Sequence, residues 1–450
     1  MADETYDLIV LGSGSGAKVA NHAADAGMSV AVIEARDFGG TCALRGCNPK
    51  KVLTRSAELM RWVDAMDDRY LRKNDAELSW QLSRDYQQTY VEGVPDSSQS
   101  SLEDHGVTTI TGRPRFTGPR TLEVDGRTLS ADRVVIATGS QPTPVDFPGA
   151  DLLTTSDEFL FLDQLPESIV FLGGGYISAE FASIANAYGR EATIVERSDR
   201  ILTEFDADLV EALSGELWDN GVRLCLGKDV ARVEQDGGRF RTTLRDEETG
   251  EEQTLESDMV VHGLGRSANL SGLDLEAAGV EAGDKGVRVD DFAKTTADNV
   301  WAIGDCADTG KPMLTPVAND AARAVTDQIL GRGEGRLDDG PIPYAAYTLS
   351  QIAAVGMTED EARQKHGEDL TVRCEDMSDW TTYRKVGAKV ARYKTLIAGG
   401  KVVGAHVLGP HAAETINTLA MVVRFGVTTE EVKRMLFAYP TLSSEIKAMV

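Results

Sequence analysis

Two glycine-rich turns, about 160 residues apart, limit what this chain can fold into more than any other feature. The first follows the apolar run YDLIVLG that starts at Tyr6, and it opens the pattern KVANHAADAG, which reads as a helix before the strand SVAVIEA. Its small residues are Gly12, Gly14 and Ala17, with Ser15 and Gly16 between them, and Glu34 ends the second strand. The other begins at Ile169 as IVFLGGGYISAEF, with Gly173, Gly174, Gly175, Ile177 and Ser178 in the turn and Glu196-Arg197 closing its second strand. Glycines at this spacing let backbone approach a pyrophosphate at a helix N-terminus, and the acid about twenty residues on takes ribose hydroxyls. One such turn is weak, because any tight strand-to-helix turn needs glycine. Two, each after a strand and each followed by its acid, predict two nucleotide sites, the layout that passes a hydride from a nicotinamide to a flavin.

The second constraint is GGTCALRGCNPKK, Gly39 to Lys51, which holds Cys42 and Cys47. Five residues apart on a regular helix, their Cα atoms would be roughly 8–9 Å apart, and a disulfide tolerates at most about 7 Å. Gly46 relaxes the backbone beside Cys47, and Pro49 is expected to disturb the carbonyl four residues back, at Arg45. The bridged loop would be short and reducible, of little use as a structural staple and suited to a dithiol that opens and closes. The alternatives are two inert cysteines or half of a metal site. A metal would need further ligands, and neither the six histidines nor Cys225, Cys306 and Cys374 lie close by in sequence.

With these motifs in place, the chain resembles the FAD-dependent pyridine nucleotide–disulfide oxidoreductases, the family of glutathione reductase, dihydrolipoamide dehydrogenase and mercuric reductase. The resemblance implies an α/β fold with two Rossmann-like domains and a C-terminal α+β dimerisation domain. It divides the chain into an FAD domain with the redox disulfide (1–148), an NAD(P) domain (149–270), a return segment to the flavin (271–335) and an interface domain (336–450). The first turn then binds FAD, aided by Gly40 and Thr41, by Thr138 and Gly139 of VVIATGS, by Asp305 of the GD pair and by the loop Met313 to Thr315. The second binds NADPH or NADH, with Gly265 and Arg266 near that cofactor. Cys47, beside the flavin, would hold a thiolate stabilised by Lys50; Cys42 would attack the disulfide substrate; Glu180 would pair with Lys50.

Two departures from the family bear on the substrate. Most relatives end in His-Pro-Thr with a glutamate five residues after the histidine, an acid–base pair given to the other subunit. Here Tyr439 stands at the histidine position and Ser444 at the glutamate position, with Glu445 one further on. Tyr439 is therefore expected to support the leaving thiol as a neutral donor. A tyrosine also occurs in mercuric reductases, but the C-terminal cysteine pair of those enzymes is missing. Glutathione reductases carry a glutathione-binding arginine in the first helix, where this chain has His22.

Composition adds a third clue. There are 72 acidic against 46 basic residues, a formal charge of −26, with arginine outnumbering lysine about two to one. So acidic a surface argues against nucleic acid and anionic membranes and reads as adaptation to a salt-rich cytoplasm. Together with His22, it points to bis-γ-glutamylcystine, the disulfide of a glycine-less thiol, as substrate. The rivals are a dihydrolipoamide dehydrogenase of a 2-oxoacid dehydrogenase complex, and a flavin-binding redox sensor that turns over no small disulfide. No apolar run approaches the ~18 residues of a membrane span and no basic segment precedes the first strand, so a soluble cytoplasmic protein is expected; the resemblance implies a homodimer.

Overall fold

The computed structural model describes residues 4–450. They form two compact units, one of residues 4–51, 85–144 and 266–339 and the other of residues 52–84, 145–265 and 340–450.

The first unit is built on a seven-stranded sheet. Its centre is the strand Glu4–Leu11, flanked in parallel by Val30–Glu34 and Arg127–Ile136, so that Ile9 lies opposite Ala31 and Val134. Leu8, Ile9, Val10 and Leu11 are all inaccessible to solvent. An unbroken apolar run of this kind suits a parallel strand covered on both faces. The helix Gly16–Asp25 covers one face with Val19, Ala20 and Ala23, at helical spacing. Val300–Ala302 joins Arg127–Ile136 in parallel and returns the chain to this sheet.

The second unit repeats the arrangement with a four-stranded parallel sheet in the order 223–226, 191–196, 168–172, 259–262. A three-stranded antiparallel sheet, 228–236, 239–246 and 252–257, follows. Its last part is a five-stranded antiparallel sheet carrying the helix Ala412–Phe425, which buries Ala412, Ile416, Leu419 and Val422 and ends at Gly426 with φ +60°. Glycine there is the usual left-handed helix stop. Lys394 of this sheet, only 4 % exposed, is ion-paired with Asp206, Asp208 and Glu359 at 2.7–2.8 Å. The α/β class and two nucleotide-binding folds expected from the sequence are present.

The segment 69–103, polar and weakly patterned, contains the helix Trp80–Gln88 and most of Val94–Asp104. Among the described residues no helix is long and apolar enough to cross a membrane.

Candidate active site

The redox segment is two helices, Gly40–Arg45 and Cys47–Met66, broken at Gly46. Gly46 has φ −139° and ψ −116°, and a Cβ on it would meet the carbonyl oxygen of Thr41 at 2.9 Å. The distortion therefore rests on Gly46 alone. Pro49 does not contribute it as expected: it falls in the first turn of the second helix, where its missing N–H would have had no partner in any case.

The break brings the thiols of Cys42 and Cys47 into hydrogen-bonding reach of one another, Cys42 half-buried and Cys47 exposed. Cys42 is the acidic one, its pKa lowered to about 6 chiefly by the hydrogen bond from the Cys47 thiol, then by Thr315 and the charge of Lys50. Cys47 is pushed up, because it donates to that thiolate and lies beside it. The Thr315 hydroxyl donates to Cys42 Sγ at 3.5 Å. Thr315 is also the first residue of the 15-residue helix Thr315–Ile329, so Cys42 faces a helix N-terminus, whose partial positive charge favours a thiolate. In the sequence Thr315 had been read only as a cofactor-loop residue; no local signal links it to Cys42, 273 positions away.

The first glycine turn fits a dinucleotide. Gly12 has φ +105° and lies so close to Ala137 that a Cβ would come within 2.3 Å of its carbonyl oxygen. Gly40 faces Gly14, and a Cβ on Gly40 would come within 2.6 Å of Gly14 Cα, so neither wall has room for a side chain there. Glu34 accepts from the Ser13 N–H (2.9 Å) and hydroxyl (2.6 Å) and from the Arg36 N–H (3.0 Å), which fixes the carboxylate at the rim of the turn. Ser15 lies against Gly304, just before Asp305. Asp305 accepts from the Ser140 hydroxyl (3.0 Å), and Ser140 is clamped by Arg266 through Nε to its hydroxyl (3.0 Å) and Nη2 to its carbonyl (2.8 Å). Arg266 thus lies in the first unit, with Ser140 and Asp305. Thr138 and Gly139 accept from Asn269 through their carbonyls, at 3.3 and 2.9 Å. Ser140, the last residue of VVIATGS, and Asn269 are site residues that sequence reasoning did not single out.

The second glycine turn repeats the first almost atom for atom. A Cβ on Gly173 would meet the Gly263 carbonyl oxygen at 2.4 Å, and Gly175 begins the helix Tyr176–Ala187 facing open space. Glu196 accepts from Gly174 N–H (2.5 Å) and Ser198 N–H (2.8 Å), as Glu34 does in its own turn. The two differ in the next residue: Ala35 in the first, Arg197 in the second. Arg197 is exposed, with no ion pair among the described residues. Glu180, on the same helix and buried, accepts the Tyr347 N–H at 2.8 Å.

The remaining expectations fall outside these turns. His22 bonds through Nδ1 to the Lys18 carbonyl of its own helix at 2.7 Å. Tyr439 is 81 % exposed. Glu445 is hydrogen-bonded to Thr382, and burial raises its pKa. Cys306 is fully buried, its thiol turned to the carbonyls of Ile303 and Ile136, a packing role.

Comparison with known proteins agrees with this geometry. Residues 6–322 match the family described as pyridine nucleotide-disulphide oxidoreductase, and residues 342–450 match its dimerisation domain. A glutathione reductase of Burkholderia cepacia is 33 % identical over 98 % of this chain and 97 % of its own length. A dihydrolipoyl dehydrogenase of Chlamydia muridarum is 29 % identical over 98 % and 95 %. Among solved structures, the HOCl-induced flavoprotein disulfide reductase RclA from Escherichia coli superposes with a TM-score of 0.88 at 27 % identity, covering 98 % of this chain and 99 % of that one.

Proposed function

Since the chain belongs to the pyridine nucleotide-disulphide oxidoreductases, flavoenzymes that use FAD and NAD(P)H, we propose that it is an NADPH-dependent reductase of a low-molecular-weight disulfide, bis-γ-glutamylcystine. The observation that carries the reading is the Cys42–Cys47 dithiol, its thiols within hydrogen-bonding reach of one another and Cys42 at the N-terminus of the helix Thr315–Ile329. FAD, when bound, supplies two-electron transfer between the nicotinamide and this pair.

The chain's own residues do the rest. The Cys42 thiolate attacks one sulfur of the substrate, forming a mixed disulfide and expelling the other sulfur as a thiolate. Cys47, deprotonated, then attacks Cys42 Sγ, which closes the Cys42–Cys47 disulfide and releases the second thiol. Lys50 holds positive charge beside Cys47 as its proton leaves. Gly12, Gly14, Ser15, Gly16, Ala17, Glu34, Gly40, Thr41, Thr138, Gly139, Asp305, Met313 and Thr315 are assigned to FAD. Gly173, Gly174, Gly175, Ile177, Glu180, Glu196, Arg197, Gly265 and Arg266 are assigned to the nicotinamide nucleotide. Residues 1–148, 149–270, 271–335 and 336–450 are the corresponding functional segments. The decisive experiment is a panel of disulfides, glutathione disulfide and lipoamide included, assayed in molar salt with NADPH and NADH in turn. Turnover of lipoamide alone, with NADH as reductant, would favour the dehydrogenase reading.

NADPH is preferred because Glu34 and Glu196 hold their turns in the same way and only the second is followed by a free arginine. A guanidinium can bind a 2′-phosphate through two hydrogen bonds. Arg197→Ala should raise KM for NADPH by at least about tenfold and that for NADH by less than about twofold. Equal effects on both cofactors would remove the argument.

Homodimerisation is supported by the apolar C-terminal surface, where Leu436 is 97 %, Tyr439 81 % and Phe425 72 % exposed. Tyr439 would act across that interface as a neutral donor to the leaving thiolate, its phenol hydroxyl giving a hydrogen bond to sulfur. Tyr439→Phe keeps the ring and removes the donor. It should lower kcat/KM for the disulfide about tenfold and leave flavin reduction by the nicotinamide unchanged. Unchanged disulfide kinetics would leave Tyr439 a packing residue.

A further inference from the structure

Within the second unit lies a cavity of about 280 Å³, with no glycine-turn residue in its lining. One wall is the end of the helix Cys47–Met66, through Met60, Arg61 and Trp62; others include Asn186, Val222 and Lys389. Arg61 is largely withdrawn from water, and burial pulls its pKa down to about 10, still fully charged at neutral pH. Its Nη2 is paired with the buried Glu216, which also accepts the Ser350 hydroxyl at 2.9 Å.

That pair occupies only one nitrogen of the guanidinium. The other two nitrogens of Arg61, the indole N–H of Trp62, the amide of Asn186 and the ammonium of Lys389 make no hydrogen bond or ion pair among the described residues. All but the Asn186 oxygen are donors. The one acid on the wall, Asp64, is paired with Lys73 at 2.6 Å. In a chain of formal charge −26, the cavity therefore carries an unmatched positive charge and a surplus of donors.

Donors in a recess lose hydration when a ligand enters, and an occupant without acceptors would leave them unsatisfied at a cost. The occupant must bring acceptors, and the free ammonium favours a negative one. Met60 and Val222 need an apolar body to cover them. The volume is near the lower end of the range for small-molecule pockets. We propose that this cavity binds a small organic anion, with a carboxylate-type head at Arg61 and Lys389 and a compact apolar body. The helix that begins at Cys47 reaches Arg61 some fourteen residues later, roughly 21 Å along its axis. A ligand here braces the far end of the same helix.

The inference does not depend on the identity of the disulfide, and its test uses binding rather than turnover. The FAD-loaded enzyme is titrated calorimetrically with 1-naphthoate and with the neutral 1-naphthalenemethanol, at one salt concentration that keeps the assembly intact. Naphthoate should bind at least about tenfold more tightly than the alcohol. Lys389→Gln, at an exposed position, should weaken naphthoate severalfold and leave the alcohol unchanged. Ala187→Leu, which fills part of the space, should abolish binding of both with the melting temperature kept. Equal affinity for the two probes, no binding of naphthoate at 10 mM (roughly the weak end of specific affinities), or naphthoate binding that neither substitution alters would overturn the proposal. If Ala187→Leu does not fold, Lys389→Gln alone decides it.

Discussion

Cys42→Ser should lower disulfide turnover by at least about three orders of magnitude while the bound flavin still accepts a hydride from NADPH. The serine hydroxyl cannot ionise near pH 6 as the Cys42 thiol does, and it forms no mixed disulfide. The same substitution removes the thiolate that holds Cys47 protonated, leaving the charge of Lys50 to lower it. Cys42→Ser should therefore keep a long-wavelength thiolate-to-flavin absorption, and Cys47→Ser should lose it together with turnover. Persistence of that band in Cys47→Ser would reverse the roles of the two sulfurs. The sign of the pH dependence follows from the lowered value. In the two-electron-reduced wild type, alkylation of Cys42 by iodoacetamide should be slow below pH 6, rise as the thiol ionises, and level off above it. Peptide mapping of the labelled cysteine separates this from alkylation at Cys47.

Dilution into low salt should inactivate the enzyme. With 72 acidic against 46 basic residues, repulsion acts throughout the chain and between subunits. The Debye length grows from about 3 Å at 1 M to about 30 Å at 0.01 M, so charges that ignore one another in strong salt interact when it is removed. Loss of the dimer by light scattering and of activity are expected at about 0.01 M salt, both recovered on returning to molar salt. The ion cluster of Lys394 should resist the change, since an ammonium 4 % exposed and paired with three carboxylates is screened little at any salt. Undiminished activity and an unshifted melting temperature in dilute buffer would sink the halophilic reading.

Much of the molecule was legible before folding because its signals are local. A strand of four consecutive apolar residues, a glycine turn, a helix and an acid about twenty residues on occupy one short stretch, and each step follows from backbone geometry. The same holds for Cys42 and Cys47, whose relation is set by the four residues between them, among them the glycine that breaks the helix. The similarity of the two turns was visible too. Their one asymmetry, Ala35 against Arg197, could be read from the sequence but became an argument only once Glu34 and Glu196 were seen to be held alike.

What the sequence alone determined, then, is the α/β class, the two nucleotide-binding turns and the cysteine pair, all of them properties of contiguous residues whose spacing dictates their geometry. Tertiary structure alone decided that the Thr315 hydroxyl, 273 positions distant, donates to Cys42, and that Arg266 clamps Ser140 beneath Asp305. It also removed Pro49 from the causes of the helix break, leaving Gly46, and gathered the donors around the cavity at Arg61. The physical reason is common to these cases. A side-chain hydrogen bond or a recess forms between groups that meet only when the sheets and helices have packed, and no periodicity along the chain records which distant groups will meet.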